Sequence, residues 1–169
     1  MAAKKRGGGK GVMVAVAIGV ALAGAHKHGG IIPAQLLSLG SGNLGTHGGW
    51  AKAFLAADGM PVTRCNRNAV VAWEYAEGGG FGNQAEYNVL NVNPGPGAGW
   101  PGYNATGAWA FPDAETGLKY TVATIRNGDY QGIQDALKAG DNAQAVCNAI
   151  MASPWAASHY SGDYISATC

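Results

Sequence analysis

The sequence predicts a mostly helical domain, α+β in class but dominated by helices, with a long glycine-rich central loop or short hairpin. Three observations predict it. Apolar residues recur at helical spacing in five separate segments beyond residue 49. Capping residues or glycines bound those segments. Between the second and third lies 78–112, so rich in glycine and proline that no long helix fits.

The segments follow in order. Trp50, Phe54 and Leu55 predict a short helix over 50–57, ended by Gly59. Thr63 or Asn66 caps a second over 66–77, with Val70, Trp73 and Glu77 on it and Gly78-Gly79-Gly80 to stop it. Asp113 caps a third over 114–127, where Leu118, Val122 and Ile125 share a face and Asn127-Gly128 closes it. Tyr130, Ile133 and Leu137 mark a fourth over 130–138, ended by Gly140. Asp141 caps a fifth over 142–152, carrying Val146, Ala149 and Ile150 and ending before Ser153-Pro154. From Trp155 onward the chain reads as a polar and aromatic tail.

The N-terminus differs in kind. Residues 1–30 hold Lys4, Lys5, Arg6, Lys10 and Lys27 and no acid. Fourteen apolar or small residues follow the first basic cluster, Val12 to Ala25, and Ala23-Gly24-Ala25 has the A-x-A spacing. Basic, apolar, small is the order of a secretory signal peptide, here cleaved after Ala25, or of a short uncleaved anchor or docking segment. As a helix those residues span about 21 Å, short of the roughly 30 Å hydrocarbon core. Residues 31–48 read as a glycine-rich linker that leans on the domain, with a helical turn around Pro33–Leu39. Residues 49–169 form the domain.

Composition narrows the function. The 169 residues include only 12% charged ones and 28 glycines, and so few charges argue against a solvated disordered chain. The net charge of +1 argues against a nucleic-acid coat. It hides an asymmetry: outside the basic N-terminus the remaining six basic residues meet all ten acids, so 31–169 carries a net −4. Cys65, Cys147 and Cys169 include no CxxC pair, which argues against a zinc knuckle. In an exported chain Cys65–Cys147 is one disulfide pairing and Cys169 offers another; three free thiols are the alternative.

Chemistry concentrates in 73–91. Glu77 ends its helix, where the helix dipole disfavours a second negative charge, and Trp73 lies one turn back to desolvate it. Both effects favour the protonated carboxyl that a general acid needs. The glycines after it let a polymer approach the backbone closely. Glu74 reads as a solvated helix residue. Glu86 reads as a second carboxylate across the loop or as a surface salt-bridge partner. Trp100, Tyr103, Trp109 and Phe111 suit sugar stacking and core packing equally. His26, His28, His47 and His159 lie in the flexible ends with no ligand spacing between them, so no metal and no cofactor is expected. There is neither a phosphate loop nor a Gly-x-Ser-x-Gly elbow.

The ordered set AWEYAEGGGFGNQAEYNVLN, TGAWAFPDAETGLKYTVATIRNGDYQGIQDALKAGD and ASPW resembles the lysozyme-like proteins of actinobacterial phages. Those carry a helix ending in Glu-Gly-Gly, an Asn-Pro-Leu-Asn type element, an aromatic step and a later helix near Gly-Leu/Ile-x-x-Thr. Glu77, Asn88 to Asn91, Trp109 to Phe111 and Gly117 to Thr121 fall in that order, with Val89 where the pattern often has Pro. The order is also similar to that of bacterial glucosaminidases. The resemblance covers about 49–157 and implies a lysozyme-like fold. It implies a peptidoglycan-cleaving glycoside hydrolase or lytic transglycosylase, with Glu77 as the catalytic acid. Trp73, Glu86, Tyr87, Asn88, Asn91 and Trp109 would bind the glycan strand. A phage-encoded protein acting on a host wall would be exported to the envelope or carried on the virion. Other virion proteins or a membrane would meet residues 1–30, and no nucleic acid is expected. The alternative is a non-catalytic virion tail or envelope component with the same fold, docked through its apolar N-terminus.

Overall fold

The computed structural model describes residues 43–78, 85–93, 109–159 and 164–169. The expectations for 1–30, for the turn at Pro33–Leu39 and for Trp100 and Tyr103 lie outside the described residues. The described part is mostly helical, with six helices and no strand beyond an isolated bridge at Trp109. They are α1 (His47–Ala57), α2 (Arg64–Ala76), α3 (Ala114–Ile125), α4 (Gln131–Ala139), α5 (Ala143–Met151) and α6 (Pro154–His159).

Side-chain caps set the starts of all the helices but α4, where Tyr130 makes no capping side-chain hydrogen bond. Thr46 accepts from the Gly49 amide and starts α1 at His47, three residues before the first apolar position. Gly49 also lies so close to the Asn43 carbonyl that a Cβ would meet it at 2.1 Å. Thr63, not Asn66, caps α2 by accepting from the Asn66 amide. Asn66 is buried instead, and its amide donates to the Pro61 and Leu137 carbonyls. Asp113 caps α3 as expected, whereas Asn142 rather than Asp141 caps α5. The first described half of the tail is a helix, α6: Ser153 Oγ accepts from the Trp155 amide, and Pro154 occupies the first helical position, where no N–H is needed.

The helices close on one core. α1 packs on α2 and α3, α2 on α5, and α5 on α4 and α6. Trp50 and Phe54 stack in parallel from α1. Trp73, Leu118, Ile125, Ile133, Leu137 and Ile150 fill the rest, each fully buried. Each such side chain contributes about 1.5–3 kcal/mol relative to an exposed one. Asp58, buried after α1, accepts from Arg126 Nε at 2.7 Å and Gln134 Nε2 at 2.6 Å, and so ties the ends of α1 and α3 to α4. Burial pushes its carboxyl up, against the opposing effect of Arg126 and Gln134.

Cys65 at the start of α2 is bonded to Cys169, the last residue. Cys147 is a free thiol buried in the core on α5, so the Cys65–Cys147 pairing is not formed. Ile165 is buried, and Asn68 donates to the Thr168 carbonyl, so residues 164–169 strap the chain's end to α2.

Two glycines make opposite predictions. A Cβ on Gly117 would sit 1.8 Å from the Tyr87 carbonyl, a backbone atom with no room to yield. Gly117→Ala should therefore destabilise the fold by about 1–3 kcal/mol or more. Gly132 on α4 is exposed, with nothing within 4 Å of such a Cβ. Gly132→Ala should stabilise by about 0.5–1 kcal/mol through helix propensity. Urea unfolding of both variants checks the signs.

Candidate functional site

Three segments remote in sequence meet at the C-terminal end of α2. That end must satisfy its own last carbonyls. Glu77 is the residue just after the helix, its amide bonded back to the Trp73 carbonyl. Its own carbonyl accepts from Asn91 Nδ2 at 2.6 Å, which brings the 85–93 turn against the helix end. Its side chain is 6% exposed. From α6, Trp155 Nε1 donates to Glu77 Oε1. The Trp155 ring stands edge-on to Trp73 at 4.9 Å and to Tyr130 at 5.4 Å between centroids, so the donor is fixed by packing.

The 85–93 turn is held from within. Asn88 is buried: its Nδ2 donates to the Val92 and Trp109 carbonyls and its Oδ1 accepts from the Val92 amide. Asn88 is thus the turn's internal brace rather than an outward-facing sugar ligand. The Phe111 amide donates to the Glu86 carbonyl, completing the short pairing of the two stretches. Val89, Leu90 and Val92 anchor the turn in the core. Tyr87 and Asn91 adopt left-handed backbone conformations, with φ of 57° and 50°. Such strain in non-glycine residues concentrates at functional sites. Tyr87 keeps 50% of its side chain exposed, and Glu86 is exposed beside it.

One turn back on α2 sits a second carboxyl. Glu74 is fully buried, not solvated as its place in the pattern implied. Its Oε2 lies 2.7 Å from His47 Nδ1 on the first turn of α1, and its Oε1 has no hydrogen-bond partner. Burial pushes this carboxyl up to about 8. A proton between the two atoms makes the contact a hydrogen bond whichever partner carries it, and burial favours the neutral carboxyl. The imidazole stacks on the exposed ring of Tyr75, centroids 4.3 Å apart.

Set against family models, curated proteins and solved structures, the chain matches none. The site's own geometry carries the functional argument. Among the described residues no three of His, Cys, Asp and Glu cluster as metal ligands, and no helix is long and apolar enough to cross a membrane.

Of the residues expected at the site, the structure joins Glu77 and Asn91 directly. It puts Glu86, Tyr87 and Asn88 on the same turn, and Trp109 half-buried against it. Trp73 is wholly buried and packs on Trp155, so it supports the site from the core without facing a ligand. Phe111 is likewise core, stacked on Tyr120. Sequence reasoning missed Trp155 and His47. The Ser153-Pro154 start signal marked the helix that delivers Trp155, and Thr46 as a cap would have placed His47 on α1.

Trp155→Phe isolates the indole donor. The ring packing is largely kept and the N–H is lost. The variant should lose about 1–3 kcal/mol of stability, the usual effect of removing a hydrogen bond to a carboxylate. Chemical denaturation at neutral pH measures it, and a loss below about 0.3 kcal/mol would mean that the bond contributes little.

Proposed function

We propose that this chain is a peptidoglycan-cleaving glycoside hydrolase or lytic transglycosylase of lysozyme type, with a lysozyme-like fold, and that Glu77 is its general acid. The observation that carries the reading is the setting of the Glu77 carboxyl. It terminates a helix, one oxygen is fixed by Trp155 Nε1, and the residue's carbonyl is pinned by Asn91 from a strained turn. A general acid must be held in one position while its proton moves to the glycosidic oxygen. Tyr87 and Glu86, exposed on the same turn, then line the approach of the glycan strand, and Asn91 fixes the turn that carries them.

The step itself is simple. Glu77 gives its proton to the bridging oxygen as the bond to the anomeric carbon breaks, and the cation-like sugar is captured by water or by its own hydroxyl, whose proton returns to the Glu77 carboxylate. Export to the envelope or carriage on a virion accords with the Cys65–Cys169 disulfide, a bond that persists in oxidising surroundings. The partners are glycan strands, and virion proteins or a membrane for residues 1–30.

Glu77→Gln keeps the shape and the hydrogen-bond acceptor for Trp155 while removing the ionisable proton. Turbidity loss of purified cell walls should fall by about 10²–10⁴ in rate, with an unchanged circular dichroism spectrum. Equal rates for the two proteins would remove Glu77 from the mechanism. Failure of both to clear walls would instead favour a non-catalytic tail or envelope component.

A further inference from the structure

The Glu74–His47 contact does not belong to the proton transfer proposed for Glu77, yet it sits at the same end of α2. Glu74 is fully buried and one of its oxygens is left without a partner. A core built only for packing has no use for such a group, since an unsatisfied buried carboxyl oxygen is costly. Its described hydrogen-bond partner is His47, which reaches it from the first turn of α1 and whose side chain is 27% exposed. The pair thus joins the start of α1 to the last turn of α2, and the buried carboxyl meets a partly solvated imidazole.

We propose that the Glu74–His47 pair is a pH-sensitive latch between α1 and α2, closed by a shared proton and weakened when that proton is lost. With the proton present, the pair is a short hydrogen bond and leaves no net charge on Glu74 in the core. Without it, a buried carboxylate faces the protein with Oε1 still unmatched. The surroundings offer little to compensate. Facing α2, α5 carries no charged residue between Ala143 and Met151, only the buried thiol of Cys147. On α1 the other charged side chain, Lys52, is exposed, as is Glu86 on the 85–93 turn. On α2 itself Arg64 and Arg67 are exposed and Tyr75 points outward against His47, while just past its end Glu77 is engaged by Trp155.

The sign follows from proton counting. Burial raises the Glu74 carboxyl from 4.5 to about 8 in the folded chain. An unfolded imidazole keeps its proton up to about 6.5, so the unfolded pair releases its last proton near there while the folded pair holds one up to about 8, and stability falls as pH rises between the two. Above about 8 the folded state has itself lost the proton; a neutral imidazole can still donate from Nδ1, but to a buried carboxylate, so the latch is weakened. The latch stands without the proposed activity. Only its consequence, a wall-cleaving rate that declines as the Glu77 end loosens, rests on that reading.

The test compares the full chain with Glu74→Gln, which keeps shape and hydrogen bonding but cannot ionise. Thermal unfolding from about pH 5 to about pH 9 should lower the wild-type midpoint by several degrees more than that of Glu74→Gln. Parallel curves overturn the latch. A second measurement guards against a variant that fails to fold. Carbon-13 NMR of glutamate-labelled wild-type protein should show one side-chain carboxyl titrating near pH 8, and titration of all of them below about pH 6 overturns the proposal. Cell-wall clearing by both proteins over the same range separates the two readings. With the latch present and walls cleaved, wild type loses more rate on the alkaline side than Glu74→Gln, beyond the loss common to both as the general acid ionises. If neither protein clears walls but the midpoints still diverge, the latch stands and the proposed activity fails.

Discussion

The end of α2 is the constraint around which the molecule is organised. A helix that terminates inside a protein leaves carbonyls that need donors, and here the donors come from far along the chain. Asn91 supplies one to the Glu77 carbonyl, and Trp155 supplies another to the Glu77 side chain. Trp155 is in turn held between Trp73 and Tyr130, so α2, the 85–93 turn, α6 and the start of α4 are fixed together at one point. The carboxyl at that point is the group the proposed chemistry uses, which links the packing of the core to the site.

That arrangement explains two otherwise odd choices. Tyr87 and Asn91 take left-handed backbones in a turn that sets the Tyr87 carbonyl against Gly117 and brings Asn91 Nδ2 to the Glu77 carbonyl. Asn88 spends its amide group on the turn's own backbone. Gly117 lets α3 lie directly on the Tyr87 carbonyl, so the turn is clamped from the other side. The disulfide and the strap over 164–169 act at the opposite end of α2, around Cys65 and Asn68.

Helical periodicity made five of the six described helices legible, because each buries an apolar stripe whose spacing survives in the sequence. Caps located their starts less well: Thr46 and Asn142 act one to three residues from the expected positions, since hydrogen-bond geometry and not polarity alone selects a cap. Glu77 was legible from its place at a helix end and Asn91 from the ordered pattern downstream, but the bond between them was not. Glu74 was not. Nothing in a local pattern distinguishes a solvated glutamate from one covered by a helix that the chain formed earlier and folded back. Trp155 was hidden for a similar reason, because its partner lies 78 residues away. The cysteine pairing depended on where the C-terminus lands, which spacing alone does not encode.

The account turns on whether the Glu77 end of α2 breaks glycan strands. Mass spectrometry of the soluble products after the full chain is incubated with purified peptidoglycan measures that directly. The account predicts disaccharide-containing fragments that end in a new reducing sugar or an anhydro sugar. Recovery of the wall material without any such new ends would contradict it.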